Sequence, residues 1–335
     1  MTNNGEIILS VQNLSTWFET ELGTAKSVQN VSYDIERGKT LALVGESGCG
    51  KSVSALSIMR LIPSPPGRIV TGKILFNGEN ILDYSEKQMR KIRGNKIGMI
   101  FQEPMTSLNP VYTIGQQITE VITLHQNKTD QQAWSLAEEM LAKVHIPEPA
   151  RRLNDYPHQL SGGMRQRVMI AMAISCKPAL LIADEPTTAL DVTIQAQILD
   201  LLDELGQTEN MSILLITHDL GVVAQRSDYV AVMYASRIVE KCSCKELFNN
   251  PLHPYTQGLL RSLPQLGANQ KRLNTIAGNV PEPMNFPTGC KFHPRCPVGG
   301  NDKRCQTVEP ELKEVSPGHF VACWYAPGYE KTNNV

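Results

Sequence analysis

The sequence lacks any apolar run long enough to cross a bilayer as a helix. The longest run, residues 168–176, is about half of the roughly 20 residues that such a helix needs. We therefore expect any membrane role to depend on a partner. Residues 1–6 also lack the basic start and apolar stretch of a signal peptide, so we expect the chain to be cytosolic.

The sequence also lacks a net charge of either sign. Its 32 Lys and Arg residues against 33 Asp and Glu leave a net charge of −1, which argues against bulk attraction to nucleic acid. No internal repeat or low-complexity tract is visible. With 335 residues, 41% of them hydrophobic, the chain can form one large domain with an appendage, or two domains.

A glycine-rich stretch near the amino terminus has the spacing G-x-x-x-x-G-K-S/T of a phosphate-binding loop. It lies between a strand-length apolar run, residues 40–44, and a predicted helix over residues 53–61. Glycines let backbone N–H groups converge on one point, and the helix N-terminus adds partial positive charge there. The pattern predicts that Lys51 reaches the β- and γ-phosphates of a nucleotide and that Ser52 binds Mg²⁺. The whole stretch is Gly45, Glu46, Ser47, Gly48, Cys49, Gly50, Lys51 and Ser52.

Strand-like and helix-like segments alternate along the chain, which predicts an α/β fold with a parallel or mixed sheet. Strands are predicted over residues 7–14, 27–35, 40–44, 74–76, 97–101, 180–183, 212–216 and 229–234, with a tight turn at Asn77-Gly78. Helical periodicity covers residues 113–144, 165–175 and 193–205. After about residue 250, prolines become frequent and periodicity fades, which predicts a separate, loop-rich region.

Two carboxylates follow one of these predicted strands. Asp184 and Glu185 stand at the end of the apolar segment 180–183. An acid at the tip of a buried strand beside a phosphate loop can hold Mg²⁺, directly or through water. The second acid can orient and deprotonate an attacking water, which makes Glu185 the candidate general base. A buried strand with a solvated acidic end is the alternative interpretation.

The segment Leu160-Ser161-Gly162-Gly163-Met164, some twenty residues before the acidic strand, resembles the L-S-G-G-Q signature of ABC-family ATPases. Alone, Ser-Gly-Gly before a helix is a cap and turn; in this order with the other motifs it indicates the family. A serine hydroxyl and N–H groups at a helix N-terminus can form an anion site. The resemblance implies that Ser161, Gly162 and Gly163 face the γ-phosphate of ATP held by another subunit. Met164 replaces the usual glutamine, which does not affect the expected Ser161 and Gly163 contacts.

The resemblance covers residues 7–250 and implies roles for further residues. Phe18 matches the aromatic residue that stacks on adenine, with Trp17 or an ordinary core aromatic as alternatives. Gln102 matches the glutamine that touches Mg²⁺ and couples to the permease. Asp191, in Ala189-Leu190-Asp191, matches the loop that crosses the dimer interface. His218 matches the histidine that contacts the γ-phosphate and assists Glu185 in catalysis, although a lone histidine after a strand is more often structural.

The fold implied is a P-loop NTPase (RecA-like) α/β core with an antiparallel β subdomain and a helical subdomain. We expect a nucleotide-binding domain over residues 1–250, with the helical subdomain at about 103–176. Residues 251–335 form the C-terminal region. The segments at 102–110, 250–256 and 289–297 are similar to ATPase subunits of bacterial dipeptide and oligopeptide importers. Related importers carry nickel or glutathione, and the sequence discriminates them poorly.

This branch implies a set of partners. They are a second ATPase subunit, a copy or a paralogue, closing head to tail around two ATP molecules, two transmembrane permease subunits and an extracytoplasmic peptide-binding protein. The expected location is peripheral, at the cytoplasmic face of the bacterial inner membrane. A soluble ABC ATPase acting on ribosomes or DNA is less favoured, because such chains carry two cassettes or a long coiled coil, and neither is visible here.

Four of the eight cysteines lie in the Pro-rich C-terminal region, where no core is visible. Without a secretion signal, cysteines are more often reduced, catalytic or metal-bound than paired. A small region without a core often needs a metal to fold, and four thiolates suit Zn²⁺ or an iron–sulfur cluster. The family resemblance implies a [4Fe–4S] cluster; zinc and unligated thiols remain alternatives. The four are Cys290, Cys296, Cys305 and Cys323. They lie far in sequence from every ATP motif, so we expect no direct chemistry on ATP.

Overall fold

The structure is a computed structural model that describes residues 5–103, 107–188, 190–263 and 275–330. The chain divides into two compact units, each built from separate parts of the sequence. The first unit comprises Met1–Ile8, Glu36–Lys39 and Asp83–Ile216, and the second comprises Leu9–Ile35, Thr40–Leu82 and Thr217–Val335. Two predicted motifs fall partly outside the described residues, since positions 104–106 and Ala189 lie there.

The strands and α-helices have the following bounds. The strands are β1 (Ile7–Thr20), β2 (Gly23–Glu36), β3 (Thr40–Val44), β4 (Gly67–Phe76), β5 (Glu79–Asn80), β6 (Ile97–Ile100), β7 (Leu180–Asp184), β8 (Ser212–Thr217), β9 (Tyr229–Tyr234), β10 (Arg237–Ser243), β11 (Lys313–Ser316) and β12 (His319–Val321). The α-helices are α1 (Lys51–Ile58), α2 (Glu86–Ile92), α3 (Ile114–Gln126), α4 (Asp130–Lys143), α5 (Pro149–Arg152), α6 (Gly162–Ile174), α7 (Val192–Thr208), α8 (Leu220–Arg226), α9 (Cys244–Asn249), α10 (Pro254–Arg261) and α11 (Lys303–Thr307).

Three parallel strands form the centre of the first unit. They run in the order β8-β7-β6, with Leu180 paired to Ser212 on one side and to Ile97 on the other. Every residue of the three strands is buried. Parallel strands covered on both faces need continuous apolar runs, which is why these strands were predictable within one residue at their ends.

Two helices of the first unit replace the single helical stretch predicted over residues 113–144. Thr113 and Thr129 each open a helix with a capping box. Asn127 ends α3 with a left-handed backbone, φ 47°. Apolar periodicity alone presents residues 113–144 as one continuous helical pattern. Short polar residues divide this pattern, because their side chains form hydrogen bonds with the nearby backbone. One face of each helix is largely buried, with no exposure at Ile114, Ile118, Ile122, Ala133, Ala137 and Leu141, whereas Val121 and Leu136, expected on the same faces, are only partly buried.

The second unit contains an antiparallel sheet in the order β2-β1-β4-β5. Asn77 and Gly78, with φ of 50° and 82°, form the predicted two-residue turn between β4 and β5. β4 begins at Gly67, well before the predicted start at 74, because its pairing with β1 continues to Phe18 opposite Gly67. Backbone pairing holds these extra residues in the sheet although they lack apolar alternation.

A further sheet segment of the second unit runs in the order β11-β12-β10-β9-β3, with β3 and β9 parallel and the other pairs antiparallel. The C-terminal region supplies β11 and β12. It also packs Tyr255 and Phe292 into an apolar cluster with Val230, Val232 and Tyr234. The structure therefore differs from the expectation of a separate region without a core. Strands this short and isolated aromatic anchors carry no periodic pattern.

The length and the apolar character of the helices can be compared with what spanning a bilayer requires. Among the described residues, none has the combined length and apolar character that spanning requires.

Candidate functional site

The glycine-rich stretch forms a tight loop between β3 and α1 in the second unit. Gly45 and Gly50 have φ of 155° and 105°. A Cβ atom would lie 2.1 Å from the Met233 carbonyl oxygen at Gly45 and 2.2 Å from the Ser27 carbonyl oxygen at Gly50. Both positions therefore exclude every residue except glycine. The helix begins at Lys51, earlier than the predicted residue 53, so the loop leads directly into the helix N-terminus.

The Lys51 ammonium lies against the carbonyls of this loop. Its side chain is 5% exposed, and Nζ donates to the Gly45 and Glu46 carbonyl oxygens at 2.8 and 3.1 Å. The carbonyl groups of the loop thus fix the position of the Lys51 ammonium. Cys49, at a variable position of the loop, is fully buried, and burial raises the pKa of its thiol. We assign Cys49 a packing role.

The two predicted carboxylates stand at the end of β7 in the first unit. Asp184 is the last strand residue and is 4% exposed. Glu185 follows with a left-handed backbone, φ 47°, which is uncommon for a residue other than glycine and is found at functional sites. Its N–H donates to the Ile216 carbonyl oxygen at 2.9 Å.

The Glu185 carboxylate is held by two side chains. Its Oε2 accepts hydrogen bonds from Gln102 Nε2 and from Thr188 Oγ1, both at 2.9 Å. The structure therefore brings together Gln102 and Glu185, which the sequence analysis assigned separately to Mg²⁺ and to the base. Thr188 was not predicted. Its position three residues after Glu185 was the available signal, because a turn brings such side chains together.

Ser161 is the N-cap of α6, and its Oγ accepts from the Met164 N–H at 3.3 Å. The helix begins at Gly162 and not at the predicted residue 165. Ser161 and Gly162 are exposed. A Cβ atom at Gly163 would lie 2.9 Å from Ile194 Cγ2, so glycine permits close packing against α7.

Gln166 was missed by the sequence analysis. It is 2% exposed, and its Nε2 donates to the Pro186 carbonyl oxygen at 2.6 Å. This bond links α6 to the residue directly after Glu185. Gln166 lies between Arg165 and Arg167, so the sequence offered no local signal that this polar side chain would be buried.

The remaining family positions lie at the ends of elements. Asp191 caps α7 by accepting from the Ile194 N–H at 3.0 Å. His218 follows β8 and is exposed. Phe18 and Trp17 are both half-buried on β1. The ring of Phe18 lies over Gly67, where a Cβ atom would be 2.7 Å from Cε1.

The C-terminal region reaches the phosphate loop, which sequence distance did not predict. Tyr255 Oη accepts from the Glu46 N–H at 3.0 Å, and Arg295 forms an ion pair with the Glu46 carboxylate. Tyr255 belongs to the segment 250–256, for which the sequence analysis gave only a similarity to importer ATPases.

The four C-terminal thiols are neighbours in the second unit. Burial, followed by the nearby Cys305, Cys323 and Cys296 thiols, raises the pKa of Cys290 to about 12. The Gly299 N–H donates to Cys296 Sγ at 3.3 Å. No three of these sulfurs lie within 4.8 Å of one another in the part of the chain that the structure describes. Four sulfurs around one zinc ion would be about 3.8 Å apart, from a Zn–S length of about 2.3 Å.

One buried group of potential ligands lies elsewhere in the second unit. Glu240, Cys242 and His319 place a donor atom each within 4.8 Å of one another, and no other such group occurs among the described residues. Glu240 already accepts from the Leu252 and His253 N–H groups at 2.7 and 3.0 Å and is bonded to His319 Nε2 at 2.8 Å. Its oxygens are thus occupied, and the group is a buried hydrogen-bonded network.

Comparison with known proteins decides the family. Residues 28–188 match the model of the ABC transporter family, and residues 239–305 match the model of the C-terminal region of oligopeptide/dipeptide transporters. The oligopeptide transport ATP-binding protein AppD of Bacillus subtilis (strain 168) is 51% identical, over 95% of this chain and 96% of that protein. The dipeptide transport ATP-binding protein DppD of Escherichia coli (strain K12) is 50% identical, over 95% and 96%. The chain belongs to the ABC transporter family.

Solved ABC structures share the fold. A dimeric ATP-binding cassette in a post-hydrolysis state, bound to ADP and Pi, is 25% identical with a TM-score of 0.64 and covers 70% of this chain and 98% of its own. The cbiO1 protein from Clostridium perfringens, part of an ABC transporter complex, is 27% identical with a TM-score of 0.61, over 73% and 92%. The predicted P-loop NTPase fold and ABC family are confirmed.

Proposed function

We propose that this chain is the ATP-binding and ATP-hydrolysing subunit of a membrane transporter that imports dipeptides or oligopeptides. The phosphate loop carries this proposal, because Gly45 and Gly50 exclude a side chain and Lys51 lies against the loop. Two observations support the peptide branch. These are the C-terminal match over residues 239–305 and the half-identical relatives named for peptide transport. An importer of nickel or glutathione is the alternative.

Each motif residue has a role in this proposal. The loop from Gly45 to Ser52 binds the phosphates through backbone N–H groups and Lys51, and Phe18 stacks on adenine. Ser52, Asp184 and Gln102 hold the Mg²⁺ that accompanies ATP, directly or through water. Glu185 deprotonates the attacking water, and His218 contacts the γ-phosphate. Catalysis then consists mainly of positioning and charge neutralisation.

The hydrogen bonds to Glu185 support its role as the base. Gln102 and Thr188 both donate to Oε2. These two hydrogen bonds hold the carboxylate in one orientation. A base that is already oriented loses little further side-chain entropy at the moment of reaction.

The second anion site, at Ser161, Gly162 and Gly163, acts in trans together with Asp191. Its exposure supports this assignment, since Ser161 and Gly162 are accessible to another subunit. Two ATPase subunits, identical or paralogous, would close head to tail around two ATP molecules. This mode is supported by the similarity to a cassette solved as a dimer with ADP and Pi.

The remaining partners are two transmembrane permease subunits and an extracytoplasmic peptide-binding protein. The subunit would act peripherally at the cytoplasmic face of the bacterial inner membrane. In this proposal residues 1–250 serve as the nucleotide-binding domain, with its helical subdomain at 103–176, and residues 251–335 as the C-terminal region.

We propose further that the C-terminal thiols hold a [4Fe–4S] cluster. Two observations support the fit: the thiols are neighbours, and Cys296 Sγ accepts an N–H hydrogen bond. When bound, the cluster would cross-link the segments that carry Cys290, Cys296, Cys305 and Cys323. Its expected contribution is structural.

The decisive experiment is to isolate the chain from membranes with its attached subunits and to measure ATP hydrolysis in the reconstituted complex. A transport role requires co-purified permease subunits, and a peptide role requires hydrolysis stimulated by peptide-loaded binding protein. Stimulation by nickel or glutathione instead would replace the substrate class. A chain that never associates with membrane subunits would contradict the transport role.

A further inference from the structure

The phosphate loop is joined to the C-terminal region through one residue, Glu46. Arg295 Nη1 donates to Glu46 Oε2 at 2.7 Å, and Arg295 Nη2 donates to Glu46 Oε1 at 3.0 Å. This is a bidentate pair, the strongest common form of side-chain ion pair. The Arg295 side chain is 6% exposed and that of Glu46 is 28% exposed, so water screens the pair only in part.

Arg295 is itself fixed in place by several acceptors besides Glu46. Its Nε donates to the Ala277 carbonyl oxygen at 2.9 Å, and Nη2 also approaches the Ile276 carbonyl oxygen at 3.3 Å. Its Nη1 lies 3.4 Å from Tyr234 Oη. The Glu46 carboxylate further raises the pKa of Arg295, so the guanidinium is charged at any working pH. Hydrogen bonds within the C-terminal region thus hold Arg295 in an orientation that directs its guanidinium at the loop.

Glu46 is held at its backbone as well as at its carboxylate. Its N–H donates to the hydroxyl of the fully buried Tyr255, and its carbonyl oxygen accepts from Lys51 Nζ at 3.1 Å. Glu46, whose carboxylate pairs with Arg295, is therefore also the residue whose carbonyl oxygen contacts Lys51, the phosphate-binding lysine. Movement of the Glu46 side chain would be transmitted to the peptide groups around Lys51.

The charge of Glu46 matters for the ligand. A carboxylate in the middle of a loop that receives a polyphosphate would repel that ligand unless a cation neutralised it. Arg295 is such a cation, and both of its Nη atoms are directed at this carboxylate. Arg295 also directly precedes Cys296 in the chain.

We propose that Arg295 is a positioning residue for ATP binding: by neutralising and fixing Glu46, it couples the order of the C-terminal region to the affinity of the phosphate loop. The proposal rests on ATP being the ligand of this loop. It assigns the C-terminal region a second task in addition to holding its own thiols. Any change that releases residues 290–296 should weaken nucleotide binding.

A double-mutant cycle on the full-length chain tests this. The four proteins are wild type, Arg295→Ala, Glu46→Gln and the double variant, each titrated with non-hydrolysable Mg-ATP and separately with AMP. Arg295→Ala should bind the ATP analogue about tenfold more weakly, within the range typical of coupling between sites. The loss should be larger at low salt, because an unpaired carboxylate then repels phosphate more strongly. Binding of AMP, which lacks the β- and γ-phosphates, should change much less.

In the Glu46→Gln background the same Arg295→Ala change should reduce the affinity for the ATP analogue far less, because no carboxylate is left to repel the ligand. Arg237→Ala is the matched control, since Arg237 forms a half-buried ion pair with Glu309 in the same unit. Its affinity for the analogue should match wild type. If Arg295→Ala does not fold, Arg295→Lys replaces it, because lysine keeps the charge and loses the two-point geometry.

Equal losses of affinity in both backgrounds, or no loss at all, would overturn the proposal. So would an equal loss for ATP analogue and AMP, which would indicate general damage to the fold. If the wild-type chain itself binds no Mg-ATP, the proposed function fails first. If wild type binds and Arg295→Ala binds equally well, only the role of Arg295 fails.

Discussion

At the scale of single residues, the backbone and the hydrogen bonds of Glu185 set the orientation of the carboxylate that we propose as the base. The left-handed backbone turns the residue at the end of β7, and Gln102 and Thr188 then hold its carboxylate. A left-handed backbone at a residue other than glycine costs conformational energy, and the surrounding contacts must offset that cost. Such strained positions are concentrated at functional sites.

Replacing Glu185 with Gln tests the base directly. The amide keeps the size and can still contact Gln102 and Thr188, so binding of Mg-ATP should persist. The chemical step should slow by about 10²–10⁴-fold, because no proton acceptor remains. ATP hydrolysis in the complex with its partner subunits is the measurement.

Glu204→Gln is the control for this change, since Glu204 is exposed on α7. Its rate should equal that of wild type. Wild-type turnover in Glu185→Gln would remove Glu185 from the role of base.

At the scale of elements, the residues at the N-termini of two helices lead to testable predictions. α6 presents the exposed Ser161 and Gly162, and α10 begins at the buried His253 cap. The first is expected to act on a ligand from another subunit. The second is a structural cap whose strength depends on pH.

Ser161→Arg tests the trans site at α6. The variant should bind ATP through its own phosphate loop but fail to hydrolyse it, because the arginine blocks closure over the partner's γ-phosphate. Mixing it with Lys51→Ala protein should restore one composite site per dimer if the chain pairs with itself. The measurement is ATPase activity against mixing ratio. Activities that simply add would show that the partner is a different protein or that sites are not shared.

His253 makes the stability of α10 sensitive to acid. Its Nδ1 accepts from the Tyr255 N–H at 3.0 Å, which requires an unprotonated nitrogen. Burial lowers the pKa of His253 to about 4, although Glu240 opposes the shift. Since the folded pKa is depressed, the stabilisation is complete above the unfolded value of about 6.5 and is lost as pH falls toward 4.

His253→Asn should keep a capping oxygen and remove the titration. Its stability relative to wild type should therefore improve between pH 6.5 and 4, by on the order of 3 kcal/mol, because folding lowers the pKa of His253 from about 6.5 to about 4. Chemical denaturation of both proteins across this range measures the difference. A stability difference independent of pH would show that His253 does not titrate in this way.

At the scale of the whole molecule, the C-terminal region is part of the fold and contacts the phosphate loop. It adds β11 and β12, buries Tyr255 and Phe292, and reaches Glu46 with Arg295. The proposed coupling between this region and the loop rests on these contacts.

The proposed cluster can be tested by composition. Protein purified without oxygen should be brown and contain iron and acid-labile sulfide in equal amounts, about four of each per chain. Replacing Cys296 with Ser should bleach the protein and speed proteolysis after residue 290. Cys176→Ser is the control outside the group and should stay brown. Stoichiometric zinc in a colourless preparation would replace the cluster, and absence of both metals would leave four ordinary thiols.

The family, the order of the motifs and the parallel strands could be predicted from the residue pattern alone. Glycines at positions without room for a side chain, buried apolar strands and capping residues each form short patterns in the sequence. Their spacing can therefore be recognised without the structure. Residues 40–44, 180–183 and 229–234 were therefore predictable almost to the residue.

The side chains that support these motifs could be identified only in the folded chain. Thr188 and Gln102 on Glu185, Gln166 on Pro186, and Arg295 on Glu46 are contacts set by packing and turns. Arg295 and Glu46 are 249 positions apart, and nothing in a charged pair fixes its spacing along the chain. Short strands and single aromatic anchors likewise carry no period, which is why the C-terminal region looked separate in the sequence and is not separate in the fold.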